Sequence, residues 1–206
     1  MKYALLLAAA LMALACGSCS LKPTKGSAPT TTYILQDLQP ATPIFRKQPF
    51  TLLIRETAAP ALISSRKIIY SKTPATRSFY QYASWADTPP NSLTRLLTAR
   101  LEKNGPFAGV CRRPSAISTD LQLALELDEF YHDAGSNPGM VKIAIRGKLF
   151  DSRRKAIIAQ QRFAKEVAVE RYDSRGAVEG FSRAVSLILD DIVSWLTESA
   201  ATLPAP

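Results

Sequence analysis

The chain has 206 residues, of which 47% are apolar and 21% charged, and its net charge is +9. Those proportions are ordinary for a globular protein, and the length suffices for one domain with a sizeable core. One histidine and three cysteines leave a zinc centre dependent on carboxylates and provide no internal disulfide framework.

Met1-Lys2 is a short basic start, and Tyr3 to Ala15 is uncharged and apolar throughout. With small residues at its exit this is a secretory signal peptide. Its core is too short to span a bilayer, which takes about 20 apolar residues. Cys16 and Cys19 follow in Ala-Cys-Gly-Ser-Cys-Ser. A cysteine after a small residue at the end of a signal core resembles the lipobox of bacterial lipoproteins, whose thiol is diacylated and whose new amino terminus is acylated. Cys16, behind Ala13-Leu14-Ala15, fits that pattern better; Cys19, behind Cys16-Gly17-Ser18, is the alternative. Several acyl chains, at about 0.8 kcal/mol per buried methylene, anchor a protein firmly. The residue two along from either cysteine is not aspartate (Ser18 or Leu21), which by resemblance to the sorting rule of enteric bacteria favours the outer membrane. A redox or zinc role for Cys-Gly-Ser-Cys is disfavoured, because the pair abuts a segment that is removed. Nucleic acid is an improbable partner behind an export signal, so the basic surplus is left to solvent or to anionic headgroups.

Residues 1–15 are therefore read as signal peptide and 16–31 as tether, since Ser20 to Thr31 is rich in Pro, Ser, Thr and Lys and cannot bury enough surface to fold. The domain is expected over 32–202. Thr32-Tyr33-Ile34-Leu35 opens it as a short β-prone run, and Phe50, Leu52 and Ile54 alternate with Thr51 and Arg55 as in a half-buried strand. Lys67 to Ser71 and Arg77 to Tyr82 are close enough to form a hairpin. Pro89 and Pro90 stop the second strand, and Pro90 or Asn91 opens a helix over about 90–104, with Leu93, Leu96, Leu97 and Leu101 inside and Arg95, Arg100 and Lys103 largely outside. Asn104-Gly105-Pro106 ends it.

Phe107 to Cys111 is a short strand in which the Cys111 thiol is expected to be buried and inert. Asp120 to Phe130 alternates Leu121, Leu123, Leu125 and Leu127 with Gln122, Glu126 and Asp128, one face dry and one wet. The next strand alternates Val141, Ile143, Ile145 and Leu149 with Lys142, Arg146 and Lys148. After the basic turn Arg153-Arg154-Lys155, a return strand from Ala156 to Glu170 places Ile157, Phe163, Val167 and Val169 on one face. These three strands read as a meander. A helix over about 175–200 carries Val178, Phe181, Val185, Ile188, Ile192 and Trp195 at three-four spacing and is expected to lie across the sheet. The fold class is α+β, a mostly antiparallel mixed sheet with a mid-chain amphipathic helix and a long C-terminal helix packed on it.

Catalytic equipment is sparse. The single His132, beside Asp133 at the edge of a strand, reads as a surface or cap residue rather than a base. There is no nucleophile elbow and no phosphate loop. Asp190 and Asp191 are neighbours on a helix, about 100° apart, so they cannot share a proton. No cofactor is called for, and a non-enzyme is expected.

The order of these pieces carries a resemblance. A lipobox and Pro-rich tether lead to Tyr33-Ile34-Leu35, then to the strands at 50–55 and 67–70. Tyr82-Ala83-Ser84-Trp85-Ala86-Asp87-Thr88-Pro89-Pro90 runs into the Leu-rich helix, and Gly105-Pro106-Phe107-Ala108-Gly109-Val110 follows. The whole resembles the ABC-type transport auxiliary lipoprotein family, to which the paraquat-inducible lipoprotein belongs. Its most specific part is Trp85, Ala86 and Asp87. The resemblance implies a periplasmic domain on the inner leaflet of the outer membrane. Its partners would be a mammalian-cell-entry (MCE) domain protein, a permease and an ATPase in the inner membrane, moving phospholipids or other hydrophobic molecules. It also implies a possible homo-oligomeric ring and a structural Trp85, whose indole caps the sheet–helix corner or meets a neighbouring subunit. Two rival expectations are another envelope-assembly lipoprotein, for lipopolysaccharide or secretion machinery, and a lipid-anchored hydrolase.

Overall fold

The computed structural model describes residues 30–38, 47–112 and 119–204. The signal peptide, Cys16, Cys19 and almost all of the tether lie outside the described residues. The elements in chain order are β1 Thr31–Tyr33, β2 Gln48–Ile54, β3 Lys67–Ser71, β4 Ser78–Trp85, α1 Pro89–Asn104, β5 Phe107–Cys111, β6 Leu121–Asp133, β7 Met140–Asp151, β8 Ala156–Ala168 and α2 Ser174–Ala201. The fold is α+β, one mixed sheet of eight strands with two helices.

The meander is its frame. β6 and β7 pair antiparallel from Leu121↔Asp151 to Asp133↔Met140, and β7 and β8 from Met140↔Ala168 to Asp151↔Ala156. On the inner face Leu123, Leu127, Val141, Ile145 and Leu149 are fully buried. The other edge of β6 is shared by one continuous stretch of earlier chain. β2 lies parallel to Leu121–Leu123, Ala58 makes a single bridge to Glu126, and β3 lies parallel to His132–Asp133. β4 folds back on β3 as the expected hairpin, β1 lies parallel on β4, and β5 lies parallel on β2.

Two bulges change which side chains face inward. The register of β6 against β7 shifts between Leu127 and Glu129. Upstream the odd-numbered residues point into the core; beyond the extra residue Phe130 and His132 do, 2% and 0% exposed. A second shift, between Leu149 and Phe150, sets Ile157 opposite Phe150 on the outer face. Ile157 is accordingly 51% exposed, against the expectation that it joins Phe163 and Val169 inside. A bulge inserts one unpaired residue, and with a two-residue side-chain period that is enough to exchange the faces.

α1 begins with proline in its first turn, where the missing N–H costs nothing. It ends where the Gly105 N–H donates to the Leu101 carbonyl at 2.8 Å. A Cβ at Gly105 would sit 2.3 Å from that carbonyl oxygen, so only glycine allows the turn. Leu93, Leu97 and Leu101 are buried as expected. α2 is capped by Asp173, whose carboxylate accepts from the Gly176 N–H at 2.6 Å. Its stripe of Phe181, Val185, Ile188, Leu189, Ile192 and Leu196 is at most 1% exposed and packs over β7 and β8. Each such side chain gains roughly 1.5–3 kcal/mol on burial, which makes the α2–meander contact the principal apolar core.

Candidate functional site

The sequence motif Trp85-Ala86-Asp87 forms the corner between β4 and α1. Its three residues part company there. The Trp85 indole turns inward, 2% exposed, and meets Phe130 and Phe181 edge-on at 6.0 and 5.5 Å, while those two rings stack at 4.3 Å. The indole Nε1 has no acceptor among the described residues. Ala86 is exposed, and its N–H donates to the Tyr33 carbonyl, binding the corner to β1. Asp87 is exposed, and its carboxylate accepts from the Thr88 N–H at 2.7 Å and from Asn91 Nδ2 at 3.3 Å, orienting the first turn of α1.

A polar clamp lies between the two helices. Arg100 is 5% exposed, a correction to its expected place outside. It stands seven residues after Leu93 and so belongs to the apolar stripe, a spacing that was readable. Its Nε donates to Asp37 Oδ2 at 2.8 Å, its Nη2 to Asp37 Oδ1, and its Nη1 to Asp190 Oδ1. The segment 34–38 that supplies Asp37 is a strap. Leu35 and Asp37 point inward, while Ile34 and Leu38 are 61% and 52% exposed. The Leu38 N–H donates to Ser186 Oγ at 2.6 Å, which lays the strap along α2. Asp191 pairs instead with Lys165 at 2.7 Å. The two adjacent carboxylates thus serve different partners.

His132 is also corrected, from the surface to the interior. Its Nδ1 lies 2.8 Å from the Tyr80 hydroxyl and its Nε2 lies 2.9 Å from the Pro138 carbonyl. A carbonyl can only accept, so Nε2 bears the proton and Nδ1 accepts from Tyr80. Tyr172 faces the ring edge-on and donates its own hydroxyl proton to the Ala134 carbonyl. Burial depresses the imidazole pKa, against the opposing pull of the Pro138 carbonyl and Asp133. Burial raises that of Tyr80. Gly139, at φ +87, closes the loop so tightly that a Cβ there would meet the Asp133 carbonyl oxygen at 2.2 Å. Every polar atom of this group is occupied in holding the 134–139 loop, which gives His132 a structural task.

The remaining candidates are scattered. Cys111 is a free, half-buried thiol whose pKa is raised by burial. No group of three or more His, Cys, Asp or Glu among the described residues is arranged to hold a metal ion. No helix among the described residues is long and apolar enough to cross a membrane. On the outer sheet face Arg146 is held by both oxygens of Asp128 at 2.7 Å and by Glu126 at 2.9 Å, which keeps the Asp128 carboxyl below the usual range. Lys142 does the same for Asp133 at 3.0 Å. Two open grooves border this face, and both are lined by Glu56.

No curated protein matches the chain. Solved structures with the same fold include protein XCC0632 from Xanthomonas campestris, 23% identical, covering 84% of this chain and 97% of its own at a TM-score of 0.78. An uncharacterized protein is 14% identical, with 82% and 99% covered and a TM-score of 0.66. The hypothetical protein CT253 from Chlamydia trachomatis is 10% identical, with 75% and 99% covered and a TM-score of 0.53. The family model described as the ABC-type transport auxiliary lipoprotein component matches residues 33–193, from β1 to the last turns of α2. By that match the chain belongs to the ABC-type transport auxiliary lipoprotein family.

Proposed function

We propose that this chain is a lipid-anchored, non-catalytic docking component of an MCE-type ABC transport system that moves phospholipids or other hydrophobic molecules. Family membership makes it an auxiliary lipoprotein of an ABC transporter in the cell envelope. The finer reading adds acyl chains on Cys16, or alternatively on Cys19, residence on the inner leaflet of the outer membrane, and a homo-oligomeric ring facing the MCE-domain protein. The observation that carries it is that the family match starts at residue 33, directly after the lipobox-like signal and the Pro-rich stretch. The mechanism is positional: the anchor fixes one membrane, and the domain receives the end of the inner-membrane machine. The occupied polar atoms of His132 and the separate partners of Asp190 and Asp191 favour this over hydrolysis.

Cells grown with labelled palmitate should mark the chain, and Cys16→Ser should abolish the label while Cys19→Ser preserves it. The tagged chain should copurify with the MCE-domain protein of its own transporter. A chain that takes up no label, or that recovers no MCE partner after crosslinking, would refute the reading.

A further inference from the structure

The two grooves at Glu56 carry more positive charge than the fold uses. The first, about 300 Å3, lies at the start of α1 between Glu56, Asp87, Asn91, Thr94, Arg95 and Arg112. The second, about 260 Å3, borders β2, β6 and β7 and is lined by Arg55, Glu56, Glu126, Arg146 and Lys148, with Ala124 among the residues between them. Together they hold five cationic side chains (Arg55, Arg95, Arg112, Arg146, Lys148) against three carboxylates (Glu56, Asp87, Glu126). Arg146 is already committed to Asp128 and Glu126. Arg55, Arg95, Arg112 and Lys148 form no ion pair among the described residues.

A second observation points the same way. Arg162 on β8 is exposed and lies directly opposite Arg146 in the antiparallel register, and both cations act on the same carboxylate, Asp128. Like charges facing each other across two strands destabilise a sheet. Elsewhere in the meander Lys142 faces Glu166. The cations without an ion pair lie in two grooves that meet at Glu56, Arg55 and Lys148 in one and Arg95 and Arg112 in the other, and together they form one band.

We infer that this band is a binding surface for an acidic segment of a partner protein. The inference goes beyond the transport reading and does not depend on it. The cations line grooves yet are themselves exposed, and they are interleaved with Glu56, Asp87 and Glu126. An extended chain can place its carboxylates beside the cations and leave those three untouched, whereas a headgroup layer would press phosphates against all of them. The exposed turn Arg153-Arg154-Lys155 is the better membrane candidate and serves as the control. Complementary charge of this kind steers association and selects partners more than it adds affinity.

The test uses the purified full chain, a fluorescein-labelled peptide of alternating glutamate and glycine, and vesicles of phosphatidylglycerol with phosphatidylcholine. The peptide should bind at low ionic strength, and both Arg55→Glu with Lys148→Glu and Arg95→Glu with Arg112→Glu should weaken it about tenfold or more. Arg153→Glu with Arg154→Glu should leave it within a factor of two. Arg55→Gln with Lys148→Gln should fall between, and unchanged melting curves show that the fold survives. Absence of peptide binding, or equal loss in groove and turn variants, overturns the inference. Loss of vesicle binding in the groove variants with peptide binding intact overturns it in favour of a headgroup surface.

Discussion

Residues 121–201 and residues 31–111 reach the same sheet by opposite routes. The later half pairs each strand with its neighbour in sequence, in two ladders that run nearly the whole length of β6, β7 and β8. Apart from the β3–β4 hairpin, the earlier half pairs at a distance. Its parallel ladders hold two to four matched positions each, and two of them lean on β6, which belongs to the later half. Long-range parallel pairing closes large loops before any contact rewards them. The later half can therefore stand on ladder length and apolar stripe, while the earlier half depends on discrete fasteners. Trp85, the Arg100 clamp and the Thr57–Thr94 hydroxyl pair at 2.8 Å are three of them.

The difference is best attacked where the halves share a side chain. Trp85→Ala should cost about 3–5 kcal/mol, because the cavity would open against both Phe130 and Phe181. Guanidinium unfolding measures it, and a loss under about 1 kcal/mol would mean that the earlier half hangs on something else. Arg100→Met comes next, at about 3 kcal/mol, because it removes a buried guanidinium that is paired with both Asp37 and Asp190. Hydrogen exchange should then show amides 35–38 opening while β7 stays protected; uniform loss across both halves would mean that they open as one unit.

A smaller effect is set by pH. The folded pKa of His132 lies below its ordinary 6.5, so near that pH the unfolded chain binds a proton that the folded chain refuses. Stability is full above about 6.5 and falls as pH drops through and below it, with a slope of at most about 1.4 kcal/mol per pH unit. His132→Asn should remove that slope. Asp128 and Asp133 have lowered values, so their stabilisation is present above the ordinary 3.8 and is lost only as pH falls below it. The two windows separate in an acid titration of the unfolding midpoint. Smallest of all, Lys165→Ala should cost under about 1 kcal/mol, since the pair with Asp191 is only half-buried and in reach of solvent. Its loss should vanish at high salt.

Much of the fold was legible because its cause was local. The three-four spacing of Val178 to Trp195, the Leu alternation in β6 and the Pro–Pro start and Gly105 stop of α1 each encode one element, and each element is present. What escaped was non-local. A bulge leaves no mark on composition, so a strict alternation puts His132 outside and Ile157 inside, the reverse of their burial. The choice of β6 as the common partner of β2 and β3 depends on tertiary fit. Of the candidate site, Asp87, Arg95, Arg55 and Lys148 each stand in a pattern that the sequence displays, whereas the meeting of their two grooves at Glu56 follows from those same parallel pairings. Arg100 was misplaced because its charge outweighed its spacing.

The strap also settles where a mechanical load enters the molecule. A pull on the chain ahead of Thr31 would first be borne by β1 on β4, then by Leu35 in the core, and then by Asp37 through one guanidinium to both helices. Such tension would be shared between the sheet margin and the helical layer rather than carried by one edge strand alone.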